Sequence, residues 1–315
     1  MLKNKIIAAF LFFAVLFLVI RAPSYGAPDK GQLVAYRGGG QLLDYATFDE
    51  RGCTANQIVK SENSGIENTL DGIGNALKNG FQIIHLNVHR TADGQFAVFH
   101  DWTLDCATNG TGVTSEKTMD YLKSLDAGFG YTSDKGDSFP WRGKGYRIPA
   151  LRDIVKKYPE TEFWLNLKTA DRESVMALLK FEQGLPVGER GHFFHFAADK
   201  NLPLYNSQMK SDSATVQASA LSIESDKRCI KDYVLYGWSR VFPESCSNTN
   251  IVVPPKLARY LWGWPEQFAS RAQRHGSRVY LWVKHRPFQV DYDLRDKGVG
   301  LIIGDIAGVN DQHKL

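Results

Sequence analysis

The sequence lacks the features that mark several large classes of protein. It has no internal repeat of about 20–50 residues, which argues against solenoids and propellers, and it has no low-complexity tract. No G-x-G-x-x-G follows the first candidate strand, so the sequence does not support a doubly wound dinucleotide-binding sheet. Only four cysteines are present and none stands in a C-x-x-C spacing, so we expect no structural zinc site.

A large excess of charge of one sign is also missing. The formal net charge is +4, and residues 1–26 contain three basic side chains and no acids, so the remainder carries only +1. This balance gives no reason to expect nucleic acid as a partner.

The only long apolar run lies at the N-terminus. Two lysines precede the 15 apolar residues Ile6–Ile20, and small residues follow as far as Gly26. This order predicts a secretory signal peptide over residues 1–26, cleaved after Gly26. The alternative is an uncleaved membrane anchor, because 15 residues span a bilayer only with help from their flanks. Both interpretations predict export to the periplasm or the medium, or attachment to the membrane through this segment, with a single domain over residues 27–315.

The remaining chain alternates short β-branched or aromatic runs with helix-like segments such as Thr69–Asn79, Leu151–Lys157 and Glu266–His275. This alternation, with about eight strands, predicts an α/β fold of the (β/α)₈ TIM-barrel type, which takes about 250 residues. The candidate strands are Leu33–Tyr36, Ile83–Val88, Phe96–Phe99, Phe163–Leu167, Phe193–Phe196, Ile251–Val253, Val279–Val283 and Leu301–Ile303.

Two long connections interrupt the alternation. Gln41–Ser64 follows the first predicted strand, and the stretch between Phe196 and Ile251 after the fifth is too long for one helix and its loops. We expect an insertion at the first place, and an insertion or an elaborated βα unit at the second. Loops that follow barrel strands surround the site in this fold, so both segments are expected to shape or cover a pocket.

The four cysteines lie on these loops. An even number of cysteines in an exported chain favours disulfides. We predict a Cys53–Cys106 bridge, because both residues lie in loops that leave the same face of the barrel, and a Cys229–Cys246 bridge that closes the distal segment. The alternative is four buried thiols.

An ordered set of motifs carries the functional signal. It resembles the glycerophosphodiester phosphodiesterase family, closely over residues 33–168, loosely over 279–305 and hardly at all over 190–275. The motifs are Tyr36-Arg37-Gly38, Glu67-Asn68-Thr69, His85-Leu86-Asn87, Thr91-Ala92-Asp93-Gly94, His100-Asp101, Asn166-Leu167-Lys168, Trp282 and Gly304-Asp305. The resemblance implies a TIM barrel that hydrolyses phosphodiesters with two histidines as acid and base and a Ca²⁺ or Mg²⁺ ion held by carboxylates.

The sequence departs from that pattern at one of the acid–base histidines and at three of the residues that hold the metal. The family's first histidine is replaced by Tyr36, its Glu-x-Asp pair by His85 and Asn87, and its fourth-strand glutamate by Asn166. The residues that survive are Arg37, Glu67, His100, Asp101 and Lys168. We therefore expect no resident cofactor, although residual Ca²⁺ or Mg²⁺ at Glu67, or Zn²⁺ on a histidine-rich site of His85, His100 and Glu67, stays open.

The resemblance and the surviving residues together suggest roles. The predicted catalytic residues are His100, His85 and Tyr36. The predicted substrate-binding residues are Arg37, Lys168, Asn87, Asn166 and Trp282. Structural roles compete with these: Arg37 bracing the barrel rim, Glu67 stabilising a helix N-terminus, Lys168 as a solvated rim residue and Tyr36 filling the space of an imidazole.

Three functions follow from these expectations. The first is a metal-independent, histidine-based phosphodiesterase acting on glycerophosphodiesters or (lyso)phospholipids. The second is a catalytically inactive module that binds a phosphoryl or polyol ligand in the cell envelope. The third is a metal enzyme with a rebuilt site. Beyond the motifs, Trp262, Trp264 and Phe268 are expected either to pack a loop or to form a hydrophobic lip for a lipid or glycerol headgroup.

Overall fold

A computed structural model describes residues 26–44, 52–59, 65–186, 192–209, 219–283 and 291–306, together with residue 7 and residues 11–15. The chain divides into two compact units. The larger comprises Gln32–Ser222, Val283–Val290 and Ile302–Leu315, and the smaller comprises Met1–Gly31, Ile223–Trp282 and Asp291–Leu301. Among the described residues, no helix is both long and apolar enough to cross a membrane. The predicted signal peptide or anchor lies for the most part outside the described residues and stays a prediction, as does the single domain over 27–315.

Within the described residues, nine strands make up the sheet. They are β1 Leu33–Gly40, β2 Ile83–Arg90, β3 Phe96–Val98, β4 Glu162–Leu167, β5 His192–Phe196, β6 Ser219–Leu221, β7 Asn250–Val253, β8 Arg278–Val283 and β9 Val299–Asp305.

Helices connect them. They are α1 Leu70–Lys78, α2 Met119–Ser124, α3 Leu151–Lys157, α4 Arg172–Gln183, α5 Leu202–Met209, α6 Ile223–Tyr236, α7 Pro255–Ala258, α8 Glu266–Arg274 and α9 Asp293–Asp296. Short 3₁₀ turns lie at Thr114–Glu116, Asp199–Asn201, Gly237–Ser239 and Glu244–Cys246.

The sheet order confirms the predicted fold class. The order is β6-β5-β4-β2-β1-β9-β8-β7, and these eight strands with their helices form a nearly closed parallel barrel. Helix α1 shows how the sequence defines the elements. The Thr69 hydroxyl accepts a hydrogen bond from the Gly72 amide at the N-terminus, and the helix ends at Asn79, next to Gly80 with a φ of +79°. Both ends satisfy backbone groups that a helix leaves unpaired.

Two details of the strand prediction are wrong. Phe96–Phe99 is not a barrel strand, because β3 pairs antiparallel with β2 as the return arm of a hairpin. The turn at Asp93 and Gly94 is closed by hydrogen bonds from the Thr91 amide to the Gln95 carbonyl and from the Gly94 amide to the Thr91 carbonyl, and it has a φ of +76° at Gly94. The Asp-Gly pair is a hairpin signal that outweighs the apolar run after it.

The strand that replaces it in the barrel is β6, which pairs parallel with β5. Its sequence, Ser-Ala-Leu, is too short and too weakly apolar to stand out as a strand. The long segment after β5 is therefore a βα unit in its described part, with α5, β6 and α6 in order.

The insertion after β1 packs into the larger unit. Its residues Leu43, Ala55 and Ile58 are buried in one apolar cluster with Phe99 and Leu104 of the segment that follows β3. Both predicted disulfides form and their pairing is confirmed. Cys53–Cys106 joins the insertion to that segment with a Cα–Cα distance of 5.9 Å, and Cys229–Cys246 joins α6 to the 3₁₀ turn before β7 with 4.8 Å.

Candidate active site

The register of β2 and β4 places polar residues on one face of the larger unit. His85 is level with Trp164, and Asn87 is level with Asn166. Because alternate residues of a strand share a face, His85, Asn87 and Asn166 project in one direction near the carboxyl ends of their strands. This is where barrel enzymes carry their sites.

Strand β1 contributes Tyr36 to the same face. Its ring stacks on the His85 imidazole, with centroids 4.6 Å apart and planes inclined by 23°. Tyr36 is buried. The tyrosine therefore covers the imidazole from the β1 side, while Phe196 of β5 meets His85 edge-on at 5.5 Å.

Arg37 follows in a left-handed backbone conformation, with a φ of +55°. Such a conformation is uncommon for a residue with a side chain, and it lets Arg37 depart from the strand's alternation. The guanidinium Nη1 donates to Glu67 Oε2 at 3.1 Å, and both side chains are buried. Asn68, which follows Glu67 in the sequence, also has a left-handed backbone conformation, with a φ of +56°, and its amide donates to the Arg37 carbonyl at 2.7 Å.

Glycine is required beside this ion pair. A Cβ on Gly40 would lie 2.8 Å from the Cβ of Glu67, closer than packed side chains approach. The small residues that end β1 thus let the segment carrying Glu67 lie directly against the strand. Asn68 continues the connection to β2, because its Oδ1 accepts from the Asn87 amide at 3.0 Å.

The protonation of His85 is set by the backbone. Its Nδ1 accepts a hydrogen bond from the Arg37 amide at 3.1 Å. A nitrogen that accepts cannot also carry a proton, so the neutral ring has its proton on Nε2. His85 can therefore donate a hydrogen bond to a ligand from Nε2, but it acts as a base there only by changing tautomer.

His100 has the opposite arrangement. Its Nδ1 lies 2.9 Å from Asp101 Oδ1, and both side chains are buried. Asp101 Oδ2 accepts from the amide of Thr54 at 3.2 Å and from its hydroxyl at 3.4 Å. An ionised Asp101 accepts the proton of Nδ1, which leaves the lone pair of His100 on Nε2, as a general base requires.

Burial and charge tune this pair. Burial raises the pKa of Asp101 to about 7, and the nearby negative charge of Glu67 acts in the same direction. Burial, then the positive charges of Arg37 and Lys168, holds the pKa of His100 well below its usual range. The imidazole is therefore neutral and able to accept a proton at neutral pH.

Three further residues join the site without having been assigned roles from the sequence. Thr54 stands in the insertion, where no motif marks it. His89 is fully buried on β2, two residues beyond Asn87, and burial followed by the charge of Lys168 lowers its pKa to about 3. Tyr131 is buried too, and burial, then the negative charges of Glu67 and Asp101, raises the pKa of its phenol well above the usual range. Only His89 had a sequence signal, namely its period-two spacing from Asn87.

The predicted site residues are thus distributed as follows. Tyr36 stacks on His85, the Arg37 amide donates to His85 Nδ1, and Asn87 is joined to this group through Asn68. His100 lies near enough for the charges of Arg37 and Lys168 to lower its pKa. Asn166 and Lys168 are half-buried at the end of β4, where the Lys168 amide donates to the Val88 carbonyl at 2.8 Å. Trp282 lies near the end of β8 in the smaller unit, and its part in substrate binding stays a prediction.

The donor set does not fit the family's divalent cation. Hard cations need several carboxylate oxygens, whereas here Glu67 is paired with Arg37 and the neighbouring positions carry His85 and Asn87. Across the residues that the structure describes, no three His, Cys, Asp or Glu side chains gather closely enough to hold a metal ion. The zinc site of His85, His100 and Glu67 therefore gains no support, and we derive no step through a metal.

Comparison with known proteins agrees with the motifs and the barrel. The model of the glycerophosphoryl diester phosphodiesterase family matches residues 51–309. A glycerophosphodiester phosphodiesterase of Caldanaerobacter subterraneus is 34% identical over 102 residues, which is 32% of this chain and 39% of that protein. The chain thus matches about two fifths of that relative's length.

Solved structures show the same fold at low identity. The glycerophosphoryl diester phosphodiesterase domain of a Mycobacterium tuberculosis protein superposes with a TM-score of 0.62 at 17% identity, covering 90% of this chain and 100% of that one. A phosphodiesterase from Oleispira antarctica, in complex with the product sn-glycerol-3-phosphate, gives 0.51 at 17% identity and covers 89% and 94%.

Proposed function

The chain belongs to the glycerophosphoryl diester phosphodiesterase family, and from this we propose that it hydrolyses glycerophosphodiesters or (lyso)phospholipids without a resident metal ion, with His100 as the base. The observation that carries the proposal is the buried hydrogen-bonded series from Thr54 through Asp101 to His100. A histidine oriented by a carboxylate that is itself held in place is the usual form of a general base.

Each residue has a distinct part in the proposed reaction. His100 Nε2 removes a proton from the attacking water as the water oxygen bonds to phosphorus, and the imidazolium gives that proton to the oxygen of the departing alcohol as its P–O bond breaks, which leaves glycerol phosphate. Arg37 and Lys168 oppose the charge on the phosphoryl oxygens. His85 contributes an Nε2–H hydrogen bond, and Tyr36 keeps its ring in place by stacking.

The substrate class is supported by chemistry at two points. A phosphodiester carries one negative charge, and the cations Arg37 and Lys168 match an anion, whereas the residues at three positions where the family has carboxylates, His85, Asn87 and Asn166, cannot carry a negative charge. The Oleispira enzyme, which shares the fold, binds sn-glycerol-3-phosphate, so a glycerol phosphate group is the ligand that we propose for this chain.

The second candidate is a binding module without catalysis. It is favoured by the Arg37–Glu67 ion pair, which engages the guanidinium within the protein, and by the replacement of the family's first histidine by Tyr36. A module that only binds an anion needs a cation such as Arg37 in place, but it needs no second acid or base.

Hydrolysis of a chromogenic phosphodiester, measured with and without chelator, separates these functions. The proposal expects activity that chelator leaves unchanged and that falls about 10²–10⁴-fold in His100→Gln, the usual effect of losing a positioned base. His275→Gln, at an exposed histidine of the smaller unit, is the matched control and should keep full activity. Activity abolished by chelator, or a His100→Gln variant as fast as the parent, would contradict the mechanism. If several diesters are not hydrolysed while glycerol phosphate binds, the binding module is correct.

A further inference from the structure

The smaller unit carries an exposed aromatic surface that the proposed hydrolysis does not use. We define the aromatic patch as Leu235, Tyr236, Trp238, Val241, Tyr260 and Trp262, all between 36% and 57% exposed. A surface on which several large apolar side chains are exposed together is typical of a site that interacts with another molecule or with a membrane.

The patch is continuous. Leu235 and Tyr236 end helix α6, and Trp238 and Val241 follow in and just after the 3₁₀ turn that comes next. The second part, around Tyr260, adjoins the first, because the Trp262 indole donates to the Val234 carbonyl at 2.8 Å. Phe268, in contrast, is fully buried in the core beneath, and Trp264 is half-buried with its ring 6.1 Å from that of Phe268, so the predicted hydrophobic lip divides into two packing residues and one exposed one, Trp262.

The backbone under the patch is held firmly. Arg271 is buried, and its guanidinium donates to the Gly237 carbonyl at 2.8 Å and to the Tyr233 hydroxyl at 3.0 Å. The disulfide from Cys229 to Cys246 closes the same segment. The aromatic side chains therefore protrude from a rigid base and lose little further conformational freedom on binding.

The charges around the patch are predominantly basic. Residues 227–241 and 254–262 together contain six basic side chains and one acid, Asp232, and that acid accepts a hydrogen bond from Ser245. Arg240 and Arg259 are exposed within the two parts of the patch. Protein surfaces that lie in the headgroup region of an anionic bilayer combine tryptophan and tyrosine with lysine and arginine.

The position of the N-terminal segment points to the same partner. Asp29 exchanges backbone hydrogen bonds with the Gln273 side chain at 2.8 and 3.1 Å, near the end of α8. Two residues further on, His275 stacks on Phe242 at 4.8 Å, and Phe242 adjoins Val241 of the patch. Asp29 is thus linked through the end of α8 to one end of the patch.

We infer that the aromatic patch is a membrane-binding surface, which inserts its aromatic side chains into the headgroup region of a bilayer containing anionic lipids. Single weak membrane signals give reversible attachment, and two together give stable binding. Where the N-terminal run stays uncleaved, the patch supplies the second of these signals, and its rigid base fixes the orientation of the protein on the lipid.

Hydroxyl-radical footprinting of the full chain, with and without vesicles, tests this inference. Tyr236 is compared with Tyr121, a tyrosine of the larger unit that is 39% exposed. On phosphatidylcholine vesicles with about 30% phosphatidylglycerol, the oxidation of Tyr236 relative to Tyr121 should fall about fivefold or more. An unchanged ratio in vesicle-bound protein overturns the inference. A fall without vesicles that grows with protein concentration also overturns it, because a second copy would then cover the patch.

A double variant distinguishes insertion of the patch into the bilayer from protection that results only because the protein is held close to the membrane. Trp238→Ser with Val241→Ser removes apolar area from exposed positions and should leave the fold intact, which near-ultraviolet circular dichroism checks. The vesicle-dependent protection of Tyr236 should then be lost, given the transfer free energy of these side chains, so that its oxidation relative to Tyr121 is the same with and without vesicles. Val59→Ser, at an exposed valine of the larger unit, should leave the protection unchanged. Protection that persists in the double variant would show that proximity to the anchor alone shields Tyr236.

Discussion

Asp101→Asn should make the protein more stable and its proposed activity weaker. Asp101 is 4% exposed, and burial raises the pKa of its carboxyl from 3.8 to about 7. An ionised carboxylate in this position is costly to the fold, but the mechanism needs its charge to hold the proton of His100. Asparagine has the same shape without the charge, so stability and activity should change in opposite directions.

The magnitude follows from the pKa. A carboxyl whose pKa rises from 3.8 to about 7 on folding destabilises the native state by about 4 kcal/mol once it is ionised, at about 1.4 kcal/mol for each tenfold change in the ionisation constant. Asparagine still accepts from Thr54 but loses the stronger hydrogen bonds of a carboxylate. We therefore expect a net gain of about 1–3 kcal/mol at pH 8.

The sign of the pH dependence is a stricter test. Below about pH 4 Asp101 is protonated in both the folded and the unfolded chain, so parent and variant should be about equally stable. As the pH rises from about 4 to about 7, the unfolded parent loses its proton while the folded parent retains it. The stability of the parent relative to the variant should therefore fall across this range and be constant above it.

Thermal unfolding at pH 5 and at pH 8, with both disulfides intact, measures this difference. A gain of 1–3 kcal/mol corresponds to an increase in Tm of several degrees in a protein of this size, at about 2–4 °C for each kcal/mol. Asp137→Asn, at an exposed aspartate, removes the same charge and should change stability by less than about 0.5 kcal/mol. A variant less stable than the parent at pH 8 would refute the electrostatic reasoning.

The same substitution should impair catalysis through the tautomer of His100. With its oxygen directed at Thr54, the amide of asparagine donates to His100 Nδ1, so the ring proton moves to Nε2 and the base is lost. A decrease in kcat of about 10²–10⁴-fold is expected. In the parent, activity should rise with pH through about 7 as Asp101 ionises. Full activity in the variant would show that Asp101 does not orient the base.

Three further predictions concern the anion site, the insertion and the metal. Arg37→Lys should weaken binding of glycerol phosphate about tenfold or more, measured by calorimetry, because an ammonium cannot replace a planar guanidinium fork. Replacing Cys53 and Cys106 by serine should lower stability by about 2–4 kcal/mol and reduce activity by releasing Thr54, whereas loss of the bridge within the smaller unit should affect stability alone. Restoring the family's histidine and three acids in one quadruple variant should create Ca²⁺- or Mg²⁺-dependent hydrolysis that the parent lacks. A quadruple variant that binds neither ion by calorimetry would contradict this. The substitutions are Tyr36→His, His85→Glu, Asn87→Asp and Asn166→Glu.

Local sequence signals were sufficient for much of the fold. The boundaries of α1 follow from Thr69 and Gly80, and those of α3 follow from the pattern after Pro149. The signals failed where strand identity depends on pairing. Phe96–Val98 and Ser219–Leu221 are equally short, and only the hairpin turn at Gly94 and the position next to β5 decide which of them belongs to the barrel.

The site was predictable at the level of residues but not of protonation. Motif order placed Tyr36, His85 and His100 together, yet the tautomer of His85 depends on the backbone amide of Arg37, whose left-handed conformation no composition reveals. Thr54 could not be found either, because its contact with Asp101 depends on how the insertion is fastened by the disulfide and its apolar residues.

The Arg37–Glu67 ion pair connects the proposed metal-independent mechanism with the residues that would carry it. In a site that binds a divalent cation, a glutamate ligand is held by the cation and an adjacent arginine is available to the phosphate. Without the cation, an unpaired buried carboxylate would be costly, and Arg37 neutralises it at 3.1 Å. An incoming phosphodiester must therefore share Arg37 with Glu67, which makes Lys168 and the neutral Nε2–H of His85 more important for binding than they would be beside a metal. Since Glu67 also raises the pKa of Asp101, the same carboxylate links anion binding at Arg37 to the pH at which His100 becomes a base.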